Sequence, residues 1–253
     1  MVTRVKTARE IDAMRQGGNM LMSVLELLKN KLQVGMTTKD LAITAKDELK
    51  ALGAEPAFLG YQGFPDVICI SVNNEVVHGI PSKSKVIGDG DIVGLDFGVL
   101  WKGMITDGAI SVIAGKPKQK GHIQLIEDTK NALQAGIFVV KDQVRTGDIG
   151  FAIESYLKKR PYGIVKDLVG HGVGHYVHED PNIPNFGRSN TGPWLQVGMT
   201  IAIEPMVTLG TDKVNIAKDG WTILTEDNSY SAHFEHTVLI TKDGAEILTA
   251  LSA

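Results

Sequence analysis

The sequence predicts an α+β domain in which helices cover one face of an antiparallel sheet. Three observations carry this reading. Apolar residues make up 43% and charged residues 22% of 253, as in ordinary globular chains. Segments run helix, helix, strands, and then repeat that order. The strands also repeat weakly: Gly90 precedes an apolar run ending at Asp96, and Gly198 precedes one ending at Glu204. Each run is followed by a second acid-bearing strand, with Asp107 in one half and Glu235 in the other. Length and the absence of a linker-like tract point to one domain over 1–253, with approximate halves 1–116 and 117–253.

Each element has a local cause. Thr7-x-x-Glu10 is a capping box, and Ile11, Met14, Leu21, Leu25, Leu28 and Leu32 follow at helical spacing. A helix over 8–32 is expected, weakened at Gly17-Gly18. A second helix is expected to open at Thr38 and stop at Gly53. Residues 54–65 carry Gly, Pro and aromatics without periodicity and read as a loop. DVICISVNNEVVHGIP reads as strand, turn, strand. Residues 88–117 read as a hairpin turning between Trp101 and Lys102. Helices are expected over 119–142 and over 147–160, the latter capped by Thr146 or Asp148. Strand-like runs follow near 164–170, 199–208 and 232–241, with a Pro/Gly/Asn-rich loop over 180–194.

Composition excludes several classes. Lys plus Arg total 26 and Asp plus Glu 29, so the net charge is −3 and no basic excess marks a nucleic-acid binder. One cysteine, Cys69, allows no internal disulfide and suits a reducing, cytoplasmic setting. The first twenty residues show no apolar signal-peptide core, and no run reaches the ~18 apolar residues of a membrane helix.

The chemistry concentrates in the strands. Alternation puts Ile92, Gly94, Asp96 and Gly98 on one face. A turn between Trp101 and Lys102 would set Asp96 directly opposite Asp107. Two facing carboxylates in an apolar hairpin repel and resist desolvation. A shared proton, a cation or a solvated edge would relieve them, and a divalent metal does so best. Glu204 in TIAIEPM and Glu235 in SAHFEHTVLI are also acids in core-like strands, which disfavours the solvated edge. Six of the seven histidines (His78, His171, His175, His178, His233 and His236) lie in or beside these segments. His122 falls in a helix and reads as a partly exposed surface residue. GHGVGHYVHEDP lacks the spacing of a phosphate loop, and no H-E-x-x-H occurs. Four carboxylates with His171 make an oxygen-rich set suited to Mn, Fe(II), Co or Zn, with charge enough for two ions.

The ordered set Asp96, Asp107, His171, Glu204 and Glu235, in GLDFG, TDG, GHGVG, IEPM and FEHT, resembles the methionine aminopeptidases, most of all the bacterial type I form. The resemblance spans nearly the whole chain. It implies the pita-bread fold, a pseudo-twofold antiparallel sheet with the metals between its halves. It implies two divalent ions (Co, Fe(II), Mn, Zn or Ni), bridged by Asp107 and Glu235, with His171 and Glu204 completing the shell of one. Metal-activated hydroxide would attack the carbonyl of an N-terminal methionine, with Glu204 also shuttling the proton. The substrate's α-amine would reach one metal, and a small second residue would be preferred. His78 would contact the substrate peptide, and His178 would donate to the scissile carbonyl oxygen. Phe58, Tyr61, Phe64, Cys69 and Trp221 would line the methionine pocket. Nascent polypeptide N-termini would be the partners of a monomer; transient ribosome association is compatible with such a substrate, although no basic patch argues for it. Val177, His175 and His233 depart from the family pattern and bear on the shape of the pocket. His236 is expected to face away from the metals, His175 to serve its loop, and Cys69 to be a small buried hydrophobe. A proline dipeptidase on the same fold, and a non-catalytic peptide-binding module, are the competing readings.

Overall fold

The computed structural model describes residues 5–251. Among them, helices α1 (Ala8–Lys31), α2 (Thr38–Ala51), α3 (Lys120–Phe138) and α4 (Thr146–Leu157) pack on a nine-stranded sheet whose pairings are all antiparallel. The capping box at Thr7 and Glu10 starts α1 as expected. A second box, Thr37 with Asp40, caps α2, which opens at Thr38 as expected. The cap of α4 is Arg145, whose backbone N–H donates to Asp148 Oδ2 at 3.0 Å.

α1 runs unbroken through Gly17-Gly18. The glycines mark close approach instead of weakness. A Cβ on Gly18 would collide with the backbone carbonyl of Leu248, and one on Gly17 would crowd Thr106 Oγ1 at 3.3 Å. Gly18→Ala is therefore expected to destabilise the protein by about 1–3 kcal/mol despite alanine's better helix propensity. A chemical-denaturation midpoint at or above the wild type would refute the close-packing account.

The sheet runs, in space, Glu55–Pro56, Ile92–Trp101, Met104–Ile113, Glu235–Ile240, Thr200–Ile203, Gly170–Gly172 and Glu179–Ile183. Cys69–Val72 and Ala245–Ile247 attach to the second and fourth of these strands. The segment 54–65, read as loop, thus contributes a two-residue strand. It also contributes a 3₁₀ turn at Tyr61–Gly63. The segment read as loop from 180 is in part an edge strand, a place where Pro181 is tolerated.

The two faces of the sheet differ in chemistry. Val93, Leu95, Phe97 and Val99 turn to the main core with Leu21, Leu25 and Leu28 of α1. Burying each such side chain stabilises the fold by about 1.5–3 kcal/mol. The alternate residues Gly94, Asp96 and Gly98 lie on the other face. There the strand pair Thr200–Ile203 and Glu235–Ile240 gives way at Glu204-Pro205 and Phe234 to a second pair, Met206–Thr208 with Ser231–His233. The chain bends where its two acids sit. His122 corrects the surface expectation: it is 4% exposed, its ring 4.4 Å from that of Tyr230.

Candidate metal centre

The hairpin turn sits one residue later than its sequence suggests. Lys102 and Gly103 both take positive φ, 50° and 81°, forming the two-residue turn whose twist suits a hairpin. Trp101 then pairs with Met104, Asp96 with Ala109, and Gly98 with Asp107. Asp96 and Asp107 are diagonal neighbours on one face, not a directly opposed pair. The offset opens the row to other elements. Cys69 pairs with Asp96 on one side, and Ala109 with Glu235 on the other.

Two of the donors, Asp107 and His171, are fixed through local backbone contacts. The Asp107 N–H donates to Thr237 Oγ1 at 2.9 Å, and the Gly108 N–H to Asp107 Oδ1 at 3.0 Å. Gly170 lies so close to the Ala202 carbonyl that a Cβ would clash. This draws His171 onto the sheet. His171 Nδ1–H donates to the Gly172 carbonyl at 2.9 Å, leaving Nε2 with its lone pair free. Nε2 lies 3.4 Å from Glu204 Oε1. Ligand atoms of Asp107, His171 and Glu235 all lie within 4.8 Å of one another.

Burial raises the carboxyl pKa values. Asp96 is pushed up to about 7 by desolvation. Desolvation also raises Asp107, Glu204 and Glu235 well above the usual range, with neighbouring acids adding to it. The imidazoles move the opposite way: burial lowers His171 and His233 to about 3 and His78 to about 4, and it lowers His178 as well. Neutral rings cannot offset the acids. Asp96 Oδ1, Glu235 Oε1 and His233 Nε2 are buried without a hydrogen-bond partner among the described residues. Orphaned acceptors in an oxygen-rich nest with one imidazole fit divalent cations.

The cluster lies in a cavity of about 240 Å³. The structure brings all five expected ligands (Asp96, Asp107, His171, Glu204, Glu235) to its wall, together with His78, His178, Phe58, Tyr61, Phe64, Cys69 and Trp221. Phe64 meets Trp221 edge-on at 5.2 Å, and His171 meets His178 at 4.2 Å. Phe58 covers Gly98, where a side chain would leave it no room. His78 has a φ of 59°, a left-handed backbone rare for a residue with a Cβ. The Cys69 thiol is pushed up by burial and then by Asp96, so it stays protonated and unreactive.

Sequence reasoning missed part of the lining: Gln62, Val77, Leu168, Val169 and Met206. Val77 had a signal, since it adjoins His78 on an apolar run. Val177 lines the cavity as a small apolar side chain. His233 comes within 3.8 Å of Glu204. His175 faces Glu10 at 2.8 Å and Glu179 at 3.7 Å, a loop-holding role as expected. His236 Nδ1 instead meets Thr249 Oγ1 at 2.9 Å.

Comparison with known proteins places this geometry. The sequence model of metallopeptidase family M24 matches residues 12–242. The chain is 43% identical over 249 residues to the methionine aminopeptidase of Mycoplasma capricolum, covering 98% of both chains. It is 42% identical to methionine aminopeptidase 1 of Bacillus subtilis, covering 96% of this chain and 98% of that one. The crystal structure of the Thermotoga maritima methionine aminopeptidase superposes with a TM-score of 0.96 at 42% identity, over 98% and 99% of the two chains. The prolidase of Pyrococcus furiosus shares the fold, with a TM-score of 0.78 at 24% identity over 98% of this chain and 66% of that one.

Proposed function

The chain belongs to metallopeptidase family M24, and from that premise we propose that it removes N-terminal methionine from polypeptides, nascent chains included, with a small second residue preferred. One observation carries the reading: a buried acid and histidine cluster with orphaned acceptors sits beside an apolar, aromatic-walled cavity. Asp96, Asp107, His171, Glu204 and Glu235 would hold divalent metal. Four carboxylates supply charge for two ions, and their oxygens suit Mn, Fe(II), Co, Ni or Zn. When bound, such ions supply a water whose pKa is lowered to about 7 and a Lewis acid for the carbonyl.

The side chains divide the remaining work. Glu204, on the wall of the cavity, would accept a proton from the attacking water and return it to the departing amine. His178 donates a hydrogen bond to the scissile carbonyl oxygen as negative charge develops there. His78, also on the cavity wall, contacts the substrate peptide near the scissile bond. Phe58, Tyr61, Phe64, Cys69, Val177 and Trp221 surround the methionine side chain, whose thioether favours aromatic edges. The buried neutral Cys69 suits a cytoplasmic enzyme. Among the described residues no helix is long and apolar enough to cross a membrane.

Purified chain loaded with Mn or Co is expected to release methionine from Met-Ala-Ser. No release from metal-loaded protein would overturn the reading. His178→Ala should fold and bind metal normally while kcat falls about 10²–10³-fold. A near-normal kcat would remove His178 from the carbonyl.

A further inference from the structure

Tyr61 lines the cavity with its ring, but its hydroxyl has a more specific setting. It lies 2.8 Å from His178 Nδ1. It also accepts a hydrogen bond from the Gln62 side-chain amide at 3.1 Å. With one lone pair so engaged, the hydroxyl hydrogen is free for His178. A neutral imidazole has a single N–H, so a ring whose Nδ1 accepts must carry its proton on Nε2.

The local backbone is built to keep this arrangement. Gly60 and Gly63 take φ of 80° and 90°, and Gln62 between them is left-handed at φ 48°, ψ 22°. The turn is closed by Gly63 N–H to the Gly60 carbonyl at 3.1 Å, and by Gly60 N–H to the Phe64 carbonyl at 2.9 Å. Glutamine in that region is uncommon and persists where the surroundings over-determine it. Here the unfavourable residue is the one whose side chain holds Tyr61. On the other side, His178 packs edge-on against His171, with an interplanar angle of 80°.

We propose that Tyr61 is a positioning residue: its hydroxyl donates to His178 Nδ1 and holds the imidazole as the Nε2–H tautomer, the form able to donate to a carbonyl oxygen. The proposal rests on the functional reading above for its effect on turnover, but the tautomer itself can be measured independently.

Tyr61→Phe keeps the ring and removes only the hydroxyl. On Met-Ala-Ser its kcat is expected to fall about tenfold with KM changed less than about twofold. In a His178→Ala background the same substitution should have no further effect on kcat, because the group it positions is absent. A raised KM at unchanged kcat, or full additivity with His178→Ala, would overturn the proposal and leave Tyr61 as a cavity wall. Nitrogen NMR of ¹⁵N-histidine-labelled full-length chain reads the tautomer directly. The wild type should show His178 protonated on Nε2, and Tyr61→Phe a mixture. A wild type protonated on Nδ1 overturns the proposal whatever the activity. If the wild type releases no methionine, the functional reading fails and the nitrogen spectrum still decides the role of Tyr61.

Discussion

Asp107→Asn will fold, lose turnover by on the order of 10³-fold, and be more stable than the wild type once both are stripped of metal at slightly alkaline pH. The first effect follows from removing a central anionic donor, since a bound cation contributes several kcal/mol to transition-state charge and each 1.4 kcal/mol is about tenfold. The second follows from electrostatics. Asp107 is 3% exposed, and its carboxyl is raised first by burial and then by Asp96. Asparagine keeps an oxygen for the Gly108 N–H but carries no charge to desolvate. The sign can be worked through. An acid whose folded pKa lies above its unfolded value contributes its stability fully below the unfolded pKa, and loses it as pH rises through the folded one. For Asp96 that window runs from its ordinary 3.8 to about 7. Thermal melts of chelated wild type should therefore fall from about pH 5 to about pH 8, and more shallowly in the variant. Added Mn should restore the wild type much more than Asp107→Asn. A chelated variant that melts lower, with an unchanged pH slope, would show that the cluster is not under electrostatic stress.

Lys6→Met will cost about 3–5 kcal/mol. Lys6 Nζ meets Glu179 Oε2 at 2.8 Å, with the side chains 0% and 2% exposed. Glu179 Oε1 also accepts the backbone N–H groups of His175 and Tyr176, at 2.7 and 3.1 Å. Methionine matches the stem of lysine but leaves the glutamate charge buried against it. The penalty comes mainly from that charge, so Lys6→Met with Glu179→Gln should recover a substantial part. Urea titrations of the three variants give the comparison. A Lys6→Met penalty below about 1 kcal/mol would place the pair among ion pairs that contribute little.

What could be read from sequence was what is decided locally. Thr7 and Glu10 fix the start of α1 with no help from elsewhere. Acids in apolar strands stood out because burial without a partner is costly, and that anomaly located the centre. The hairpin turns at Lys102-Gly103 instead of Trp101-Lys102 because glycine is the natural second residue of a turn needing positive φ, and that one-residue step makes Asp96 and Asp107 diagonal. Other features have distant causes. His122 is buried by Tyr230, and Gly18 is required by Leu248; neither partner is visible in the local pattern. The edge strand at Glu179–Ile183 was hidden by Pro181 and Asn182, whose composition speaks for a loop.

The hold of the first residues on the histidine loop bears on the order in which the protein matures. Lys6 reaches Glu179 across 173 residues, Glu10 reaches His175 across 165, and the Lys6 N–H donates to the Gly198 carbonyl. Both residues are synthesised well before their partners. Closing so long a loop is slow and entropically costly, so the contacts form only after most of the chain is available. A growing chain can complete α1 and the Asp96–Asp107 hairpin while still lacking His171, Glu204 and Glu235. The nest of donors is therefore assembled last, and a chain arrested halfway through synthesis would carry two of its acids with no complete site for a metal.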